Sequence, residues 1–99
     1  MPRSVRFHPE AENELNESIV WYRHQQKGLE FEFIRCVDEA IEKLKRNPDL
    51  YPIVHKDFRK VVVRHFPFIV LYDFDEVEIR ILGVFHSRRN PRRYKKRSS

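Results

Sequence analysis

The sequence predicts an α+β fold: a short N-terminal strand, an antiparallel helical hairpin packed on a twisted antiparallel sheet, and a basic C-terminal tail. Three observations carry that prediction. Apolar residues recur at three-to-four spacing from residue 11 to residue 44, which is helical. From residue 58 to residue 85 they fall into three short β-branched and aromatic runs, which is the pattern of strands. Residues 86–99 carry seven Lys and Arg and no acid, whereas residues 1–85 carry 13 Lys and Arg against 15 Asp and Glu.

Ser4-Val5-Arg6-Phe7-His8 alternates apolar and polar and stops at Pro9, so a strand leads into a helix with proline in its first turn. Glu10, Glu12 and Glu14 complement the positive end of that helix, and Ala11, Leu15, Ser18, Ile19 and Tyr22 form its inner stripe. Gln25-Gln26-Lys27-Gly28 ends it, with Gly28 suited to a helix C-cap. Leu29, Phe33, Val37, Ala40 and Leu44 line the second helix, Cys36 and Ile41 widen its stripe, and Asn47-Pro48 stops it. The short connection makes the pair an antiparallel hairpin. Phe31 lies off the inner stripe and is a candidate partner contact.

Residues 49–57 read as a loop, and three runs follow, residues 58–64, 68–74 and 77–85. The short breaks His65-Phe66-Pro67 and Asp75-Glu76 imply an antiparallel meander. In the last run Val77, Ile79, Ile81, Gly83 and Phe85 share the face expected to meet the helices. Glu78, Arg80, Leu82, Val84 and His86 share the other, whose mixture of apolar and charged side chains marks a surface for a partner.

Ninety-nine residues make one domain, spanning 1–99 with its basic segment at 86–99. No apolar run approaches the ~18 residues of a membrane span, and the first residues lack a signal peptide, so a cytoplasmic protein without a membrane partner is expected. Cys36 is the sole cysteine and reads as a small buried thiol. Five scattered histidines with no CxxC or HExxH spacing give no metal site, and two glycines give no phosphate loop, so neither metal nor cofactor is expected.

The remaining chemistry is cationic: Arg59, Lys60, Arg64 and His65 around the first hairpin, then His86, Arg88, Arg89 and Tyr94 after the last strand. A base, an acid and guanidinium groups suffice for metal-free cleavage of RNA, with Arg64, His86, Arg88 and Arg89 on the phosphate and His86 or Tyr94 moving protons. The same groups, with Arg92, Arg93, Lys95 and Lys96, equally serve to grip phosphates or acidic side chains, as in a plain nucleic-acid-binding module.

Several strings together resemble one family. Ala11 with Leu15, Trp21-Tyr22, Gly28-Leu29 with Phe33, and Asn47-Pro48 are similar to the helical hairpin of RelE/ParE toxins of type II toxin-antitoxin systems. The run from Arg64 to Tyr72, RHFPFIVLY, is similar to their R-x-F-P hairpin, and the run from Val84 to Pro91, VFHSRRNP, to their V-x-H-x-x-R-x-P strand end. The resemblance implies a cognate antitoxin wrapped over the toxin in a hetero-oligomer, meeting Phe31, Arg80, Leu82, Val84 and the basic tail. It also implies one of two targets, the ribosome and its mRNA for the RelE-like ribonucleases or DNA gyrase for ParE-like inhibitors. The ribonucleases commonly carry an arginine shortly before the tyrosine that matches Tyr72, where this chain has Ile69, and Phe66-Pro67 is more like the ParE-type and plasmid-stabilisation subgroup. The resemblance therefore points to gyrase or another replication target.

Overall fold

In the computed structural model, which describes residues 3–88, the elements run β1 (Ser4–Phe7), α1 (Pro9–Gln25), α2 (Leu29–Arg46), β2 (Ile53–His55), β3 (Phe58–Val62), β4 (Phe68–Phe74) and β5 (Glu78–His86). Helix α1 starts where Pro9 fits the first turn and where His8 Nδ1 accepts the Glu10 N–H at 3.3 Å. Gly28, at φ 95°, turns the chain in the left-handed region and caps the start of α2 instead of the end of α1. Glu30, only 5% exposed, accepts the Gly28 N–H at 2.9 Å and meets Arg23 of α1 at 3.0 Å. One nearly buried carboxylate thus ties the two helices at their junction.

The sheet order is β1-β5-β4-β3-β2. β2, β3, β4 and β5 pair antiparallel in sequence order, but β1 lies parallel to β5. The sheet is therefore mixed where an antiparallel one is expected. A parallel neighbour needs a long crossover, and the helical hairpin with the meander supplies it. β2 occupies part of the stretch expected to be a loop, pairing Ile53 with Arg59 across a turn in which Lys56 takes φ 51°.

Strands β4 and β5 change register between Leu71–Gly83 and Tyr72–Ile81, which leaves Leu82 as an extra residue in β5. The bulge alters the expected faces. Ile79 and Ile81 meet the helices as predicted, but beyond the bulge it is Val84 that joins the helix-side core, fully buried, while Phe85 joins Leu82 in a cluster on the opposite face. That second cluster also holds Phe58, Ile69 and Leu71, with Val54 packed against it. The partner-awaiting sheet face built on Leu82 and Val84 is thus corrected: Leu82 is 7% exposed and Val84 0%.

The helix-side core is knit by aromatic rings. Tyr22, Phe33, Phe66 and Phe68 lie 4.8–6.0 Å apart between centroids, joining α1, α2, the β3–β4 turn and β4. Such pairs add about 0.5–1.5 kcal/mol each beyond the area they bury. Phe66 reaches in because His65 takes φ 69° at the turn, so the Phe-Pro string acts as an anchor. Tyr72, also buried, donates its hydroxyl to the Pro48 carbonyl and holds the chain leaving α2 against the sheet.

Candidate docking groove

β1 ends early, and α1 takes over beside β5. The last β1-side contact is the His8 N–H on the Ile81 carbonyl at 2.8 Å, after which the chain enters α1 while β5 runs on to His86. Val84 N–H, turned to the side β1 has vacated, donates to Glu14 Oε1 of α1 at 3.2 Å. Ser87 N–H points the other way, to the Pro67 carbonyl at 2.8 Å. Strand alternation therefore turns the His86 N–H toward the vacated side as well.

Between α1 and this end of β5 lies a groove of about 550 Å³. Glu14, Glu17, Ser18 and Trp21 form its helical wall, Tyr22, Pro67 and Phe68 its apolar floor, and Val84, Phe85, His86 and Arg88 its strand wall. Trp21 is 56% exposed and sits edge-on against Tyr22 at 5.0 Å. His86 packs edge-on against Phe68 at 5.6 Å, and its Nδ1 accepts the Arg88 N–H at 3.1 Å. In the neutral ring the proton then sits on Nε2, presented as a donor. Ser18 Oγ donates to the Glu14 carbonyl at 2.8 Å, whereas the exposed Glu17 carboxylate makes no hydrogen bond or ion pair among the described residues.

Of the residues singled out from sequence, His86 and Arg88 meet in this groove. Arg64 does not line it, and instead pairs with Glu39 of α2 at 3.1 Å. Arg80 is enclosed by Asp73 at 2.7 Å, Asp75 at 3.0 Å and Glu78 at 3.3 Å, and Glu78 also binds Arg6 at 2.8 Å. Those hydrogen bonds, Asp73 foremost, fix Arg80 still more firmly in its protonated form. The Asp75 carboxyl is drawn down to about 2 because it accepts the Glu78 and Val77 N–H groups and the Arg80 guanidinium. Phe31 is 71% exposed on α2. Arg89, Arg92, Arg93, Tyr94, Lys95 and Lys96 lie outside the described residues.

Glu14, Glu17 and Trp21 are the groove residues that sequence reasoning missed. A signal was present: with Glu10 they are spaced four, three and four apart, which is a single stripe of one helix. Among the described residues no group of three metal-ligating side chains could hold an ion, and no helix is long and apolar enough to cross a membrane.

Two helices over a five-stranded mixed sheet with an early-ending β1 define a RelE/ParE-type toxin fold. A solved structure of the chromosomal ParDE TA system from P. aeruginosa shares it with TM-score 0.75 at 16% identity, over 85% of this chain and 95% of that one. The profile of the ParE toxin of the type II toxin-antitoxin system parDE matches residues 5–91, and the chain belongs to that family. Toxin ParE2 of Mycobacterium tuberculosis, in strains CDC 1551 / Oshkosh and ATCC 25618 / H37Rv, is 26% identical over 92 residues, 92% of this chain and 88% of the relative.

Proposed function

We propose that this ParE-type toxin inhibits growth by docking on a replication target of the DNA gyrase kind, through the groove and the basic segment that begins at His86. A cognate antitoxin neutralises it by covering the same region in a toxin–antitoxin hetero-oligomer. The observation that carries the choice of docking over RNA cleavage is the company His86 keeps. Glu14 and Glu17 face it across the groove, and two carboxylates repel an incoming phosphodiester. Of the guanidinium groups expected on the phosphate, Arg64 is spent on Glu39 away from the groove, Arg88 alone of the described ones lines it, and Arg89 lies outside the described residues.

Induction of the toxin in cells separates the two chemistries. Docking on gyrase predicts intact transcripts, an induced DNA-damage response and loss of supercoiling activity when purified toxin is added to gyrase. Cleaved transcripts with unaffected gyrase would reverse the assignment in favour of a RelE-like ribonuclease.

A further inference from the structure

We infer that the groove between α1 and the end of β5 reads a cationic, strand-forming segment of the antitoxin: its backbone adds to the vacated edge of β5, its Lys or Arg pairs with Glu17, and a neighbouring large apolar side chain rests on Trp21. The inference rests on the antitoxin reading above and adds the chemistry of the segment that binds.

The backbone part follows from where β1 stops. β1 pairs with residues 78–81 of β5, yet β5 continues to His86, so among the described residues no strand lies along its outer edge from Val84 onward; there Glu14 holds the Val84 N–H and the His86 N–H is turned outward. A strand edge with main-chain groups turned outward is a template for an added strand, with main-chain hydrogen bonds giving affinity and side-chain pockets giving specificity. The groove leaves room for one between that edge and α1.

The charge part follows from the walls. The basic C-terminal segment invites an acidic partner, but the groove itself is different. Residues 3–88 carry 14 Lys and Arg against 15 Asp and Glu, so the described body has no cationic excess. Glu14 and Glu17 stand on the helical wall, with Arg88 on the strand wall opposite, and among the described residues Glu17 has no hydrogen-bond or ion-pair partner. An acidic strand would meet like charge there, while a Lys or Arg finds a carboxylate ready beside the indole of Trp21, whose face also attracts cations. The antitoxin segment that fits is thus mixed in charge, cationic in the groove.

The test uses the full-length toxin and the antitoxin encoded beside it. Wild-type binding must be seen first; its absence would overturn the antitoxin reading itself. Given that binding, Glu17→Arg is expected to raise Kd by on the order of 30-fold and Trp21→Ala by about tenfold, with an unchanged melting temperature for Glu17→Arg because Glu17 is exposed and makes no hydrogen bond or ion pair among the described residues. Glu17→Gln is expected to give a smaller loss in the same direction. Antitoxin variants selected to restore growth against Glu17→Arg should carry Lys or Arg→Glu or Asp within one extended segment. Equal or tighter binding by Glu17→Arg, or suppressors scattered elsewhere, would overturn the inference. So would loss of the Glu17 effect in a toxin carrying Arg92→Ala and Arg93→Ala, since the occupant would then be this chain's own C-terminal segment.

Discussion

The two ends of β5 carry similar residue types and do opposite things. At the first end β1 pairs alongside, and Arg80 is closed in by three carboxylates while Glu78 holds Arg6. At the far end β1 is gone, Glu14 and Glu17 stand on a neighbouring helix, and His86 and Arg88 look into a groove. A guanidinium or carboxylate is structural when its counter-charge lies on an adjacent strand. It is available for recognition when the strand that would supply that counter-charge has ended.

The sharpest way to break the comparison is to remove what both ends share. Ile81, fully buried, sits between them, and Ile81→Ala is expected to destabilise the protein by about 3 kcal/mol, read as a shifted urea midpoint. Both ends should lose order in one transition; separate transitions would mean that they are independent units.

Arg80→Ala comes next. Its side chain is 27% exposed and serves three acids, so its loss leaves them crowded and lowers the urea midpoint, less so in 1 M salt. Arg64→Ala is the control: its side chain is 56% exposed with one ion-pair partner among the described residues, and the change should stay within about 0.5 kcal/mol.

Acid should loosen the closed end selectively. Asp75 titrates at about 2 instead of 3.8, so its contribution to stability is complete above about pH 4 and disappears as pH falls toward 2. Asp75→Asn keeps an acceptor for the Val77 and Glu78 N–H groups but does not titrate. The slope of stability against pH in that window should flatten in the variant, and an unchanged slope would remove Asp75 from the account.

At the open end the effect is local. Glu14→Ala deprives the Val84 N–H of its acceptor and should cost about 1 kcal/mol, with faster hydrogen exchange at Val84. Glu14→Gln retains an oxygen in place and should restore most of the protection.

Much of this architecture could be read from the chain because it is local. Helix periodicity, Pro9 at a helix start, Asn47-Pro48 at a helix end and the three β runs each act within a few residues, and each recurs in the structure. What escaped is non-local or short. The parallel pairing of β1 depends on a strand some 70 residues away, and β2 has three residues, too few for a period to show. The bulge shifts the alternation of β5 by a single residue, which moves Val84 and Phe85 to opposite faces from those the alternation gives. Gly83 was the available warning, since an isolated glycine in a strand often marks a bulge or a close approach, and a Cβ there would collide with the Phe85 ring. The groove stayed hidden because it needs the end of β1, a stripe of α1 and the end of β5 in register. Only the His86 and Arg88 side of it stood out in the sequence.

The central claim is that the end of β5 beside α1 is where a protein partner docks, and amide hydrogen exchange of the full-length toxin with and without its antitoxin tests it most directly. The account predicts that the His86 amide, turned toward the vacated edge, exchanges readily in the free toxin and becomes protected in the complex. New protection confined to the exposed side of α2 around Phe31, with His86 unchanged, would contradict it.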